Sequence, residues 1–296
     1  MAKVKVNGVN IHYQRQGEGP DVVLVHGLTS TLAFWYATKV FPLLKKNFRV
    51  TAFDLRGHGY SDTTPTGYTS RQLAEDLNAL LEATGIDQAR IIGHSYGGSV
   101  TLHFALLFQE RTAGAVICDT GFASLRHLRV IDDWPGWEKY KDDLPKVGIT
   151  PDWFAQADQQ GIDAILRKSL EVPMQMGLRR GGSRDNPRFR KLLDETSVGC
   201  DFRDPAGLTE DRLPDIAPPV LAMYGHESPF RNVAGYLQGC LPHCAGQVVT
   251  GSGHFFLMHD PESFVESVTP FLNDPMGYVL ERKGRETSND QTSGAA

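Results

Sequence analysis

Three short apolar runs, each followed by a longer stretch with helical spacing, set the rhythm of the first half of the chain: Val22–His26, Val50–Asp54 and Ala89–Gly93, with Ala115–Cys118 as a fourth run. Continuous apolar runs of this length are the pattern of strands buried on both faces of a parallel sheet. Between them, Thr31–Lys46 has helical spacing. Leu73, Leu77, Leu80 and Leu81 give an amphipathic helix that opens near Ser70 and stops near Gly85, and Tyr96–Gln109 gives another. Strands alternating with helices imply parallel pairing through right-handed crossovers. Ahead of this unit, two short strands flank Asn7-Gly8, a dipeptide suited to a tight hairpin turn.

The rhythm breaks after Gly121. From there to about Ile216 the chain has scattered helical patterns, many charges, and large side chains at Trp134, Trp137, Trp153, Phe154, Met174 and Met176. It resumes with a strand over Pro219–Gly225, a helix over Asn232–Gly239, a strand over Gln247–Thr250 and a helix over Pro261–Leu272. This pattern predicts an α/β core from 1–120 and 217–280, a helical cap inserted over 121–216, and a polar tail without structure over 281–296.

Composition adds exclusions. The 296 residues are 41% hydrophobic and 22% charged, with net charge −5, so nothing points to nucleic acid or an anionic membrane. No apolar run nears the ~18 residues of a membrane span. The N-terminus, Met1-Ala2-Lys3-Val4-Lys5-Val6, reads as a strand rather than a leader, which gives an expectation of a cytoplasmic protein. Cys118, Cys200, Cys240 and Cys244 lack zinc-site spacing and are expected to be reduced thiols, with a Cys240–Cys244 disulfide as the minor alternative. No metal or cofactor is expected. Monomer and homodimer are both open.

The chemistry concentrates in Gly93-His94-Ser95-Tyr96-Gly97, an apolar strand running through Gly-x-Ser-x-Gly into a helix. Flanking glycines permit a turn so sharp that the serine stands at its tip. His26-Gly27-Leu28 ends one earlier strand, Asp54-Leu55-Arg56-Gly57-His58-Gly59 follows another, and Gly251-Ser252-Gly253-His254-Phe255 follows the last strand. With these four motifs the chain resembles the serine-nucleophile branch of the α/β-hydrolase superfamily, over roughly residues 5–120 and 215–272. The resemblance implies a mostly parallel sheet flanked by helices, with a cap over the strand ends.

It also implies roles. Ser95 is the candidate nucleophile and His254 the base, since imidazole both takes and returns a proton near neutral pH. The backbone N–H groups of Leu28 and Tyr96 are the candidate oxyanion hole. The acid departs from the family pattern. Its usual place, three residues past Gly225, holds Ser228, which carries no charge. Asp119, ending the strand after the nucleophile helix, is favoured, with Glu227 as the alternative. Phe34, Trp35, Trp134, Trp137, Trp153, Met174 and Phe255 are candidate pocket residues, although core packing is the better account of Trp35 and Phe255. His26 and His58 are expected to orient backbone, His94 to point away across the turn, and His259 to lie on the surface. Arg179, Arg180, Arg184, Arg188 and Arg190 read mainly as a solvated cap face. The expected activity is cleavage of a small-molecule carboxylic ester or lactone with an apolar part. Rival readings are a carbon–carbon bond hydrolase, a cofactor-free oxygenase or lyase, and a non-catalytic receptor. Epoxide hydrolases and haloalkane dehalogenases resemble the chain but need a carboxylate nucleophile where Ser95 stands.

Overall fold

The computed structural model of the chain describes residues 2–130 and 187–293, with 142, 145–148, 150 and 153 between them. Eight strands form one sheet in the order β1-β2-β4-β3-β5-β6-β7-β8: β1 Ala2–Val6, β2 Val9–Gln16, β3 Asp21–Val25, β4 Arg49–Phe53, β5 Ala89–His94, β6 Thr112–Cys118, β7 Val220–Gly225 and β8 Cys244–Val249. The hairpin β1–β2 is antiparallel and closes with Val6 opposite Val9. Asn7 and Gly8 both have positive φ there, 48° and 80°, as this turn requires. β2 also runs antiparallel to β4, and every pair from β4 to β8 is parallel.

Alternation along each strand sorts side chains into two layers. Val23 and Val25 of β3 join Ile91 of β5 on the face covered by α3 (Ser70–Ala83) and α4 (Tyr96–Leu107). Val22 and Leu24 join Ile92 and Val116 on the opposite face, under Trp35, Phe41, Phe264, Val268 and Phe271. α4 is buried from Tyr96 to Leu106, which accounts for its lack of a polar stripe. The helical pattern over 31–46 resolves into two short helices, α1 Ala33–Ala37 and α2 Val40–Leu44, broken at Lys39, whose φ is 59°. α3 is capped by Thr69 and Gln72 in a reciprocal capping box, which frees Ser70 to bond His103 Nδ1 at 2.9 Å inside the protein.

The excursion between β6 and β7 includes α5 (Pro187–Glu195) and α6 (Val198–Asp201). Both are anchored on the core. Arg188 donates to Gly59 O at 2.6 Å, and Asp201 accepts from the Tyr68 N–H at 2.9 Å. After β7 come α7 (Asn232–Cys240), α8 (Phe256–His259), α9 (Pro261–Asn273) and α10 (Pro275–Ser293). The expectation of an unstructured tail from 281 does not hold, because α10 continues to Ser293. Asp274 accepts the Gly277 N–H at 3.0 Å and Pro275 sits in the first turn, so the helix has a defined start. Glu281 pairs with Arg285 one turn on, and Val279 is buried against the core. None of the four cysteines is in a disulfide. Among the described residues, no helix is long and apolar enough to cross a membrane.

One buried ion pair ties the loop after β4 to α3. Arg56 reaches both oxygens of Asp76 at 2.7 Å, and Asp76 also accepts from Asn7 at 3.0 Å. Removing one partner leaves the other charge buried without compensation. Asp76→Asn should therefore lower unfolding free energy by about 3–5 kcal/mol, read as a lowered urea midpoint at unchanged m-value. A loss under about 1 kcal/mol would show that the pair is replaceable by solvent.

Candidate active site

The ends of β3, β5, β6, β7 and β8 meet at one edge of the sheet. Ser95, between β5 and α4, has φ 55° and ψ −126°, a conformation that is costly for a residue with a Cβ. The turn is possible because its neighbours leave room for backbone: a Cβ on Gly97 would fall 2.1 Å from Val25 O. The loop after β3 is equally close, since a Cβ on Gly27 would lie 2.9 Å from Ser95 Cβ and 3.4 Å from its Oγ. Leu28 follows directly. Tyr96 is the first residue of α4, so its N–H has no partner within the helix. Its side chain is buried, with the phenol donating to Tyr68 O at 2.6 Å and the ring packed on Phe202. Burial pushes the phenol well above its ordinary pKa.

His254 lies on the loop between β8 and α8, with a quarter of its side chain exposed. Its Nδ1 is 2.8 Å from Oδ1 of Asp119, which is fully buried at the end of β6. Asp119 itself has φ 50°. Its other oxygen accepts the Gly225 N–H at 2.8 Å, and Ser228 Oγ donates to Oδ1 at 2.5 Å. Glu227 sits on the same β7 loop, with its N–H bonded to Ser252 O at 2.9 Å. The carboxylate that meets His254 Nδ1 is that of Asp119.

The structure also places His94 and the candidate pocket residues. His94 was expected to point away across the turn, but its Nε2 donates to the carbonyl of His254 at 2.9 Å and the two ring centroids are 4.8 Å apart. The ring is drawn inward because Phe34 stacks on it at 5.0 Å and 16°. Trp35 is fully buried among Phe41, Ile92 and Phe264, so it is core and not pocket lining. Phe34 and Phe255 are half-buried, and Phe255 packs against both His94 and His254. The Trp153 backbone N–H bonds Thr150 Oγ1 at 3.1 Å. Trp134, Trp137 and Met174 lie outside the described residues, as do Arg179, Arg180 and Arg184.

Sequence reasoning assigns Ser228 no role beyond leaving the acid position uncharged, and it does not single out Phe230. Phe230 packs edge-on to His254 at 5.7 Å, and Arg129 lies over its ring at 5.3 Å. A signal was available for Ser228, since a hydroxyl at the usual acid position can donate where a carboxylate can only accept. Asp54 stands in the sequence as the strand end that opens the glycine-rich motif, with no role of its own assigned. It accepts from His12 Nδ1 at 2.7 Å and from the N–H groups of Leu32 at 2.8 Å and Tyr60 at 2.9 Å, pinning the loops after β3 and β4. Among the described residues, no group of His, Cys, Asp and Glu side chains is arranged to hold a metal ion.

The chain belongs to the alpha/beta hydrolase fold family, which it matches over residues 20–261. A soluble epoxide hydrolase of Corynebacterium sp. (strain C12) is 27% identical over 289 residues, covering 90% of this chain and 95% of that protein. Among solved structures, Est816, an N-acyl homoserine lactone degrading enzyme, aligns with a TM-score of 0.64 at 24% identity over 91% of this chain and 100% of its own. A meta-cleavage product hydrolase from Pseudomonas fluorescens IP01 aligns with a TM-score of 0.66 at 20% identity over 93% and 98%. The structural likenesses establish the fold. The family match makes the chain a hydrolase by family.

The buried histidines carry a cost in acid. Burial, then the neighbouring His254, holds His94 down to about 3 from an ordinary 6.5, and burial, then His58, does the same to His26. His26 is tied up as neutral imidazole, accepting the Leu55 N–H at Nε2 and bonding Gly27 O through Nδ1. Unfolded, both rings take up a proton as pH falls through 6.5, whereas folded they stay neutral to about 3. The unfolded state thus binds more protons across that window, and stability drops as pH falls through it. The expected slope is up to about 1.4 kcal/mol per pH unit for each ring, measured by urea unfolding at pH 7.5, 6 and 5. A flat profile across those three points would contradict it.

Proposed function

We propose that this chain is a serine hydrolase that cleaves a carboxylic ester or lactone with an apolar part. The observation that carries the reading is the 2.8 Å bond from His254 Nδ1 to the buried Asp119, beside a serine held at φ 55°. The Asp119 bond fixes the tautomer: with the proton on Nδ1, Nε2 has a lone pair for the Ser95 hydroxyl proton. Ser95 Oγ then adds to the substrate carbonyl. The developing oxyanion is met by the N–H groups of Leu28 and Tyr96, each worth on the order of 2.7–4 kcal/mol in a dry, fixed site. His254 returns the proton to the leaving alkoxide, the acyl–serine ester remains, and a water activated by the same imidazole releases the acid and restores Ser95.

The nucleophile separates this reading from the chemistry named for the Corynebacterium relative. A serine that opened an epoxide would leave an ether, with no carbonyl for water to attack. A serine suits acyl transfer, where its ester intermediate is hydrolysable. Phe34, Phe230 and Phe255 around His94 and His254 favour an apolar part on the substrate. We read residues 121–216 as the cap over this edge, seated on the core through Arg188, Asp201 and Phe202.

Ser95→Ala should abolish labelling by a fluorophosphonate probe and remove nearly all turnover, on the order of 10⁶ in kcat, against a panel of esters, thioesters and lactones. Full labelling of the variant would sink the assignment. Asp119→Asn should lose roughly 10⁴ in kcat with its fold intact, while Glu227→Gln should lose tenfold or less. Steady-state kinetics of the two variants decide between them, and the reverse ranking would move the acid to Glu227.

A further inference from the structure

Ser228 stands where the family pattern usually carries the acid, and its surroundings give it a task. It is completely buried. Its Oγ accepts the Phe230 N–H at 3.1 Å, so the hydroxyl proton is directed to Asp119 Oδ1, 2.5 Å away. That oxygen is the one that meets His254 Nδ1, while Gly225 takes the other. A second carboxylate at this distance from Asp119 would force the two to share a proton. A hydroxyl there instead supplies a donor to a buried negative charge.

We propose that Ser228 is a positioning residue that acts through Asp119: by donating into the oxygen Asp119 shares with His254, it limits how tightly Asp119 holds the imidazolium. This rests on the reading of Ser95, His254 and Asp119 given above. Two donors compete for the electron density of one carboxylate oxygen. Removing the serine hydroxyl leaves more of it for the Nδ1–H, which favours the charged ring. The carboxylate stays in place through Gly225 and the backbone of β6, so the interaction with His254 tightens rather than disappears.

The other groups facing His254 leave room for this effect to be read. Asp119 approaches from the end of β6 and His94 from β5, Glu227 lies on the β7 loop beside Gly253, and Arg129 lies beyond Phe230. Behind Asp119, Cys118 and Tyr224 are pushed up, first by burial and then by the Asp119 charge, so both stay neutral. A change at Ser228 removes none of these charges.

The test is an NMR titration of the His254 imidazole nitrogens, assigned by their loss in His254→Ala. It runs in the wild type, in Ser228→Ala and Ser228→Cys, which remove or weaken the donor, and in Ser228→Thr, which keeps it. Ala and Cys should raise the His254 pKa by about 0.5–1 pH unit, and Thr should match the wild type. The acid limb of kcat/KM should move with the NMR value, with kcat lowered less than tenfold and KM unchanged. Shifts below about 0.2 pH unit in the donor-weakened variants that fold, or a Thr shift equal to that of Ala, overturn the proposal. Absence of turnover in the wild type on any ester or lactone would instead sink the hydrolase reading, and the titration would still decide the role of Ser228.

Discussion

The candidate active-site edge depends on one buried negative charge. Asp119 has no exposure to solvent, and an ionised carboxylate in that position must be met by donors. It draws them from three places: the Gly225 N–H at the end of β7, the Ser228 hydroxyl on the loop that follows, and the His254 ring on the loop after β8. Residues more than a hundred positions apart in sequence are thereby held on one carboxylate. The positive φ of Asp119 is the backbone cost of aiming it there, and the parallel pairing of β6 with β7 supplies the rigidity that sustains it.

A second buried carboxylate, Asp54, does the same for the other half of the edge. It receives His12 from β2, the Leu32 N–H from the loop after β3, and the Tyr60 N–H from the loop after β4. The Leu32 bond holds the far end of the segment that begins at Gly27 and Leu28, so the candidate oxyanion loop is pinned from below. Arg188 reaches the same β4 loop from the excursion between β6 and β7, over the Tyr60 ring and onto Gly59 O. Two charges thus organise two sets of loops, and Ser95 lies where the sets meet.

His94 links them. It adjoins Ser95 in sequence, stacks on Phe34 from the β3 side, and donates to the backbone of His254 from the β8 side. Its bond to a carbonyl needs a proton on Nε2, and burial keeps the ring neutral, so it acts as a fixed neutral donor beside the candidate base His254. Phe34, Phe230 and Phe255 pack apolar rings against the two imidazoles.

The local patterns were enough for the sheet, its crossovers, the strained turn at Ser95 and the histidine after the last strand. Each of these is written in contiguous residues: apolar runs, helical spacing, and glycines around a serine. Asp119 was legible as a candidate only because Ser228 left the usual place uncharged, and Glu227 stayed open beside it. The structure brings Asp119 to His254 because the pairing of β6, β7 and β8 sets which loop faces which, and no local pattern encodes that. The same reason explains the inward His94, the donor role of Ser228, and a polar C-terminal helix that is stabilised partly by a buried Val279. Sequence spacing determined which groups are available for chemistry. Tertiary structure decided which of them meet, since a hydrogen bond depends on distances of about 3 Å between atoms whose separation along the chain says nothing about their separation in space.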